Sequence, residues 1–361
     1  MSARGSLEQP VLIMAGGTGG HIFPGIAVAN ELRRRGVPVV WLGSSGRLET
    51  ELVPKAGIAL ETLQIQGVRG KGLLKLLRTP FDVTRAVCAA RRLLARLAPR
   101  SALSMGGFAA GPGGIAAWLR GVPLVVHEQN SIPGVTNRIL SIFAKKRLCG
   151  FRGAFARGEW LGNPVRAEIG SVAPPEQRFA GRSGVLRLLV LGGSQGAQAL
   201  NARVPEALAL LQAAQRPEVR HQCGAKLADA ARAAYAQAGV GASVEPFIDD
   251  MAGAYAWADL VLCRAGALTL AELAAAGIGA VLVPFPFAVD DHQTRNAQAA
   301  VAAGAALLLP ENEADAARIA AVLGELLADR ARLLRMAQNS RALAKPDAAE
   351  RIADVCMQVA A

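Results

Sequence analysis

At 361 residues the chain is too long for one ordinary hydrophobic core and suits two domains, and 52% hydrophobic against 19% charged residues excludes a disordered polymer. A formal net charge of +12 asks for an anionic partner: nucleic acid, anionic lipid or a phosphorylated substrate. Aromatic residues make up only 4%, which counts against a groove that stacks bases.

The N-terminal MSARGSLEQP lacks a secretory apolar core, and the VLIMA after it is only strand length. The longest nearly uncharged stretch, 273–289, is punctuated by Gly277, Gly279, Pro284 and Pro286 and reads as helix, turn and strand rather than a membrane span. Five cysteines, at 88, 149, 223, 263 and 356, have no metal-ligand spacing and are odd in number, which fits core fillers in a reducing, cytoplasmic protein. The periodicity predicts alternating strands and helices in both halves, the pattern of parallel sheets covered on two faces. In the first half, strands are expected near 11–15, 37–42, 58–64, 101–105, 123–127 and 146–149. In the second they are expected near 185–191, 219–223, 242–246, 259–263, 279–284 and 305–309. The segment 167–184, rich in Pro, Gly, Glu and Arg, reads as the connection, so the domains are placed at 1–166 and 167–343. Helical patterns return at 313–343, and 344–361 ends in a last helix with no strand after it.

Two openings repeat: VLIMAGGTGGH at 11–21 and VLRLLVLGGSQGA at 185–197, each an apolar strand running into a glycine-rich turn. Glycines let the backbone bend sharply and approach a ligand, which meets the N–H groups of the following helix. Neither familiar phosphate motif fits. A dinucleotide fingerprint from Gly17 and Gly19 needs glycine where Ile22 stands, and a triphosphate loop needs lysine near His21. Between 69 and 100, Lys71, Lys75, Arg78, Arg85, Arg91, Arg92 and Arg96 interleave with Leu73, Leu74, Leu76, Leu77, Phe81, Leu93 and Leu94. Basic side chains among protruding leucines suit an anionic membrane surface better than nucleic acid, and an ordinary solvated helix is the competing explanation.

Six segments together carry a more specific signal: GGTGGHIFPGIAVA, HEQNSIPGVTN, LGNPVR, GGSQGAQALN, FIDDMAGAYAWADLVLCRAGALTLAEL and PFPFAVDDHQTRNAQ. In this order the chain resembles, over nearly its whole length, the MurG family of bacterial transferases, which move N-acetylglucosamine from UDP-N-acetylglucosamine onto lipid I to make lipid II for peptidoglycan. The resemblance implies an α/β GT-B fold, two Rossmann-like domains with parallel sheets facing across a cleft, acceptor on the N-terminal side and donor on the C-terminal side. It also implies a last helix crossing back to the N-terminal domain, and a peripheral enzyme on the cytoplasmic face of the inner membrane.

Residue by residue, the resemblance aims the helix start Gly266 to Glu272 at the UDP diphosphate, through Ala267, Leu268, Thr269, Leu270 and Ala271. Glu272 would accept from both ribose hydroxyls, with a solvated helix charge as the alternative. Ile248 matches the place where backbone recognises uracil, and Gln293 and Asn296 match positions beside the donor sugar. Thr18, Gly19, Gly20, Asn130, Arg166, Ser194 and Gln195 match further donor contacts, Arg166 supplying a permanent planar charge for phosphate. An α-linked donor giving a β-linked product implies a single in-line displacement with inversion, which needs a base for the acceptor C4 hydroxyl and stabilisation of departing UDP. His21 is the candidate base, its ordinary pKa lying near neutrality, and Glu128 the alternative. Asp249-Asp250 and Asp290-Asp291 are adjacent rather than spaced as Asp-x-Asp, so no metal and no other cofactor is expected, and Asp290, Asp291 and His292 read as a solvated loop. The basic leucine-rich segment 73–81 gains weight as the membrane-docking site for a polyprenyl-linked acceptor. The chain departs from the family's usual Gly-Leu-Pro-Ala at Gly277-Ile278-Gly279-Ala280, and Pro286, Phe287 and Arg295 are individual to it. A non-hydrolysing UDP-N-acetylglucosamine epimerase of the same fold, and a nucleotide-binding protein without catalysis, are the rival functions.

Overall fold

Apolar runs punctuated by glycine become strands here, and every strand pairing among the described residues is parallel. The computed structural model describes residues 9–64, 73–193 and 196–360, with the side chains of 73–80 and Val289 left outside. The chain divides into two units: residues up to Arg166 with those from Lys345 onward, and Ala167–Ala344.

The first unit holds β1 (Val11–Ala15), β2 (Val39–Ser44), β3 (Ala59–Leu63), β4 (Ser101–Gly106), β5 (Leu124–Glu128), β6 (Lys146–Cys149) and β7 (Glu159–Trp160), in the order β3-β2-β1-β4-β5-β6-β7. β1 is central and wholly buried, which is why it carries no polar residue. Its alternate side chains serve two cores. Val11, Ile13 and Ala15 pack with Trp41, Leu32, Ile352 and Cys356, whereas Leu12 and Met14 pack with Leu42, Leu94 and Leu140. The last helix, Ala348–Gln358, is tied to this unit: Ser101 Oγ donates to Cys356 O at 2.7 Å and Lys145 Nζ to Val359 O at 3.1 Å, and Arg35 pairs with Asp354.

The second unit holds β8 (Arg187–Leu191), β9 (Glu218–Gln222), β10 (Ser243–Glu245), β11 (Leu260–Cys263), β12 (Ala280–Leu282) and β13 (Ala306–Leu308), ordered β10-β9-β8-β11-β12-β13. In each sheet the order reverses beside the first strand, between β1 and β4 and between β8 and β11. Such switch points open a crevice at the carboxyl ends of the strands, where ligands of this fold class bind.

All twelve expected strands form, and the two-residue β7 is too short to leave a periodic signal. Two expectations change, and the helical patterns at 313–343 form as expected. The segment 167–184 is no loose connection: helices Ala167–Gly170 and Pro175–Ala180 belong to the second unit, clamped by Arg178, which donates to Tyr255 O at 3.2 Å and to Gly277 O. Burial lowers the Arg178 guanidinium to about 10. The pattern at 313–343 is two helices, Ala316–Leu327 and Arg330–Ala342, the second capped by Asp329, whose Oδ1 accepts from Arg332 N at 2.8 Å. In the helix Leu73–Leu97, Leu93 and Leu94 do not protrude but are buried in the core, so they offer nothing to a membrane. Cys149, Cys223, Cys263 and Cys356 are buried, and Cys88 is exposed.

Candidate active site

In the first unit the switch point is built of two glycine loops in contact. A Cβ on Gly107 would lie 2.3 Å from Gly16 O, and φ is +95° at Gly107 and +96° at Gly17, where a side chain would be strained. The helix Gly19–Arg34 starts there with Thr18 at its cap position; its carbonyl accepts from His21 N at 3.1 Å and Ile22 N at 3.2 Å, and its side chain makes no cap hydrogen bond, so it does not cover the amides of Gly19 and Gly20. His21 Nδ1 lies 3.2 Å from Gly16 O. A carbonyl oxygen only accepts, so the neutral ring carries its proton on Nδ1 and keeps the lone pair on Nε2. Any Cβ at Gly106 would come within 3.3 Å of that Nε2, and glycine keeps the space before it open. The first turn is therefore chemically equipped to take a proton.

Glu128 ends β5 and is buried, with its carboxylate engaged four times. Oε1 accepts from Asn130 N at 3.0 Å and Asn130 Nδ2 at 3.3 Å, and Oε2 accepts from Gly134 N at 3.1 Å and Asn137 Nδ2 at 2.9 Å. A carboxylate with its lone pairs so committed organises the 129–134 loop rather than collecting a proton from a substrate, and Asn130 is held as part of that loop. Beside it His127 is wholly buried between Gly162 O, 2.9 Å from Nε2, and Gln129 Nε2, 3.0 Å from Nδ1. Burial pushes its pKa down to about 4, so it stays neutral and structural. Arg166 lies over the Phe23 ring at 5.3 Å, which sets its fixed positive charge beside the first turn of the Gly19–Arg34 helix.

In the second unit the helix Ala267–Ala276 begins at Gly266, which has no side chain to cap it, so the amides of Ala267, Leu268 and Thr269 and the positive end of the helix dipole face outward from the switch point. Leu270 N is committed to Gly266 O at 3.0 Å, and Ala271 lies one turn in. Glu272 is only 6% exposed, which rules out the solvated-charge explanation, and Tyr255 donates its hydroxyl to Glu272 Oε2 at 3.0 Å. Ile248 is buried in the turn before the helix Met251–Trp257, whose cap is Asp250, with Oδ1 accepting from Gly253 N at 2.8 Å. Gln293 turns its Oε1 to Phe285 N at 2.9 Å, leaving its amide nitrogen as the end suited to a sugar hydroxyl. Asn296 is completely buried and donates to Ala265 O at 3.3 Å, which steadies the loop before Gly266. Ser194 and Gln195 lie outside the described residues.

Four residues that the motifs did not single out take part: Glu49 under the first glycine turn, Asn137 on Glu128, Tyr255 on Glu272, and Arg264, which donates to Val283 O at 3.1 Å and Pro284 O at 3.2 Å and pairs with Glu311. Tyr255 sits in the FIDDMAGAYAW segment seventeen positions before Glu272, a separation that no local pattern connects. Among the described residues no group of three or more His, Cys, Asp or Glu side chains is disposed to hold a metal ion.

Residues 11–149 match the glycosyltransferase family 28 N-terminal domain, and 187–352 match the family 28 C-terminal domain. A curated relative from Xanthomonas campestris pv. campestris is 63% identical over 352 residues, covering 98% of this chain and 82% of its own length. It is named UDP-N-acetylglucosamine--N-acetylmuramyl-(pentapeptide) pyrophosphoryl-undecaprenol N-acetylglucosamine transferase. The crystal structure of MurG from Acinetobacter baumannii is similar with a TM-score of 0.82 and 38% identity, covering 97% of this chain and 99% of that one. A UDP-GlcNAc 2-epimerase from Neisseria meningitidis shares the fold, with a TM-score of 0.68 at 13% identity over 97% of this chain and all of that one. Two matched domains and a near-full-length relative leave one assignment: the chain belongs to glycosyltransferase family 28.

Proposed function

We infer that the chain transfers N-acetylglucosamine from UDP-N-acetylglucosamine to lipid I, the undecaprenyl-linked acceptor, giving lipid II. The observation that carries this is the 63% identity over 98% of the chain to a transferase so named. The epimerase likeness, at 13% identity, extends to the fold alone.

The second unit takes the donor. Backbone amides at the start of Ala267–Ala276 bind the diphosphate, the Glu272 carboxylate, held by Tyr255, takes the ribose hydroxyls, the backbone at Ile248 reads uracil, and Gln293 meets the sugar. As the glycosidic bond breaks, negative charge grows on UDP, and amides already aimed at it lower the barrier without reorganising. The first unit takes the acceptor: Nε2 of His21 removes the proton from the C4 hydroxyl as that oxygen attacks the anomeric carbon, inverting it. Arg166 is the side chain placed to balance phosphate charge.

The acceptor's lipid chain places the reaction at a membrane, and we assign docking there to the first unit. No helix among the described residues is long and apolar enough to cross a membrane. The helix Leu73–Leu97 packs beside Ala110–Leu119, which packs beside Val135–Phe143. Phe81 at 72% exposure and Ile142 at 71%, with Trp118 and Ile139 also exposed, present apolar groups on those helices among Arg85, Arg91 and Arg138. Leu73, Leu74, Lys75, Leu76, Leu77 and Arg78 precede Phe81 on the first of these helices, their side chains outside the description. Exposed apolar groups on helices that also carry exposed basic side chains suit the anionic inner leaflet on the cytoplasmic side.

Supplying radiolabelled UDP-N-acetylglucosamine with and without a lipid I analogue tests the assignment. Label should enter the lipid fraction only when the analogue is present. Acceptor-independent conversion of the free nucleotide sugar, with no labelled lipid, would refute it.

A further inference from the structure

Glu49 opens the short helix Glu49–Lys55, yet it is completely buried. Its oxygens reach in two directions: Oε1 accepts from Ser44 N at 2.9 Å, at the end of β2, and Oε2 accepts from Gly17 N at 3.1 Å, in the first glycine turn. Two glycines clear the slot it fills. A Cβ on Gly16 would lie 2.2 Å from Glu49 Oε1, and a Cβ on Gly43 would lie 2.7 Å from Glu49 Cγ. Burying a carboxylate costs free energy that only well-placed donors offset, and here both donors are backbone amides, one at the end of β2 and one in the glycine turn after β1. The carbonyl of Gly16, next to the amide that Glu49 holds, accepts from His21 Nδ1. We propose that Glu49 is a positioning residue for glycosyl transfer: its carboxylate locks the Gly16–Gly17 turn, and that turn fixes the tautomer and the aim of His21.

The proposal rests on His21 as the base. Glu49→Gln keeps the shape but turns one oxygen into an amide that faces a backbone N–H, donor against donor, so the turn must shift. A displacement of about 1 Å at a reacting group can cost on the order of a hundredfold in rate. Glu49→Gln should therefore lower kcat between about tenfold and a hundredfold, while the KM for UDP-N-acetylglucosamine and the Kd for UDP stay within about twofold, uridine recognition belonging to the other unit. In a His21→Ala background the same change should cost less than about threefold, because the group it aims is gone. Gly43→Ala, which pushes on Glu49 from β2, should reproduce the kcat loss with the carboxylate intact, and it decides the matter if Glu49→Gln does not fold.

Wild-type kcat in a folded Glu49→Gln, UDP binding lost in step with kcat, or the full penalty repeated without His21 would overturn the proposal, as would a fully active Gly43→Ala beside an unfolded Glu49→Gln. The two assignments fail separately. Unchanged turnover in His21→Ala alone removes the base, whereas a crippled His21→Ala beside an unimpaired Glu49→Gln removes only the positioning role.

Discussion

The carboxylates of this chain show how little a residue's identity says until its partners are known. Glu128 and Glu272 were both legible as acids in family segments, yet the first has its oxygens filled by four donors and the second is buried with one oxygen on Tyr255. If Glu272 grips the ribose, Glu272→Gln replaces a charged acceptor by a neutral one. Hydrogen bonds to charged groups are worth roughly 1.5–3 kcal/mol, so KM for the donor should rise about tenfold to a hundredfold with kcat far less affected. Tyr255→Phe should raise KM by a smaller factor, and steady-state kinetics with UDP-N-acetylglucosamine as the varied substrate reads both. Glu49 and Tyr255 were not legible because their importance comes from residues 32 and 17 positions away, which only folding brings together. The acidic pairs follow the same rule. Asp250 is spent capping a helix and Asp291 Oδ1 accepts from Thr294 Oγ1 at 2.7 Å, so a chelator should leave turnover within about twofold, and a collapse in activity with EDTA that added divalent ion restores would contradict this.

Elements were more legible than their contacts. A strand such as VLIMA needs only its own letters to be recognised as central, whereas the burial of Leu93 and Leu94 depends on which side of Leu73–Leu97 meets the sheet, and that is set by tertiary packing. The docking surface proposed for the first unit would then lie on the N-terminal part of that helix and on its neighbours. Leu76→Glu with Leu77→Glu, or Phe81→Glu with Ile142→Glu, should weaken binding to anionic liposomes severalfold, added salt should weaken it further, and UDP binding should not change. Equal liposome binding by both double variants would remove the surface from consideration. The departure at Gly279 also has a packing cause. A Cβ there would stand 2.7 Å from Met336 Cβ, on the helix Arg330–Ala342, so glycine at this position lets that helix approach closely. Gly279→Ala should overpack the contact and cost about 1–3 kcal/mol, read as a lower Tm without loss of donor affinity in the folded fraction.

Each unit carries its own core and a sheet whose strand order matches the other's apart from the extra edge strand β7, and each buries one histidine that must stay neutral, which ties the stability of the whole chain to pH. His127 in the first unit and His221 in the second are both pushed down to about 4 by burial, from an ordinary value of 6.5. Between those values the unfolded chain binds two protons that the folded chain refuses, so stability rises with pH there. The contribution is fully present above pH 6.5 and is lost as pH falls through the folded value near 4, each histidine accounting for roughly 3 kcal/mol at the acid end. Nδ1 of His221 sits 2.9 Å from the Tyr235 hydroxyl, and Nε2 of His127 sits 2.9 Å from Gly162 O, so a neutral amide in place of either ring keeps a polar partner without a proton to gain. Urea unfolding followed from pH 7 to pH 4.5 should show the midpoint falling in both units. His127→Gln should flatten that fall in the first unit only, and His221→Gln in the second only. A midpoint independent of pH across this window would mean that neither ring is held neutral by its burial. A fall left unaltered by both substitutions would move the acid sensitivity to the excess of positive charge, which grows as carboxylates protonate and repels across the entire molecule.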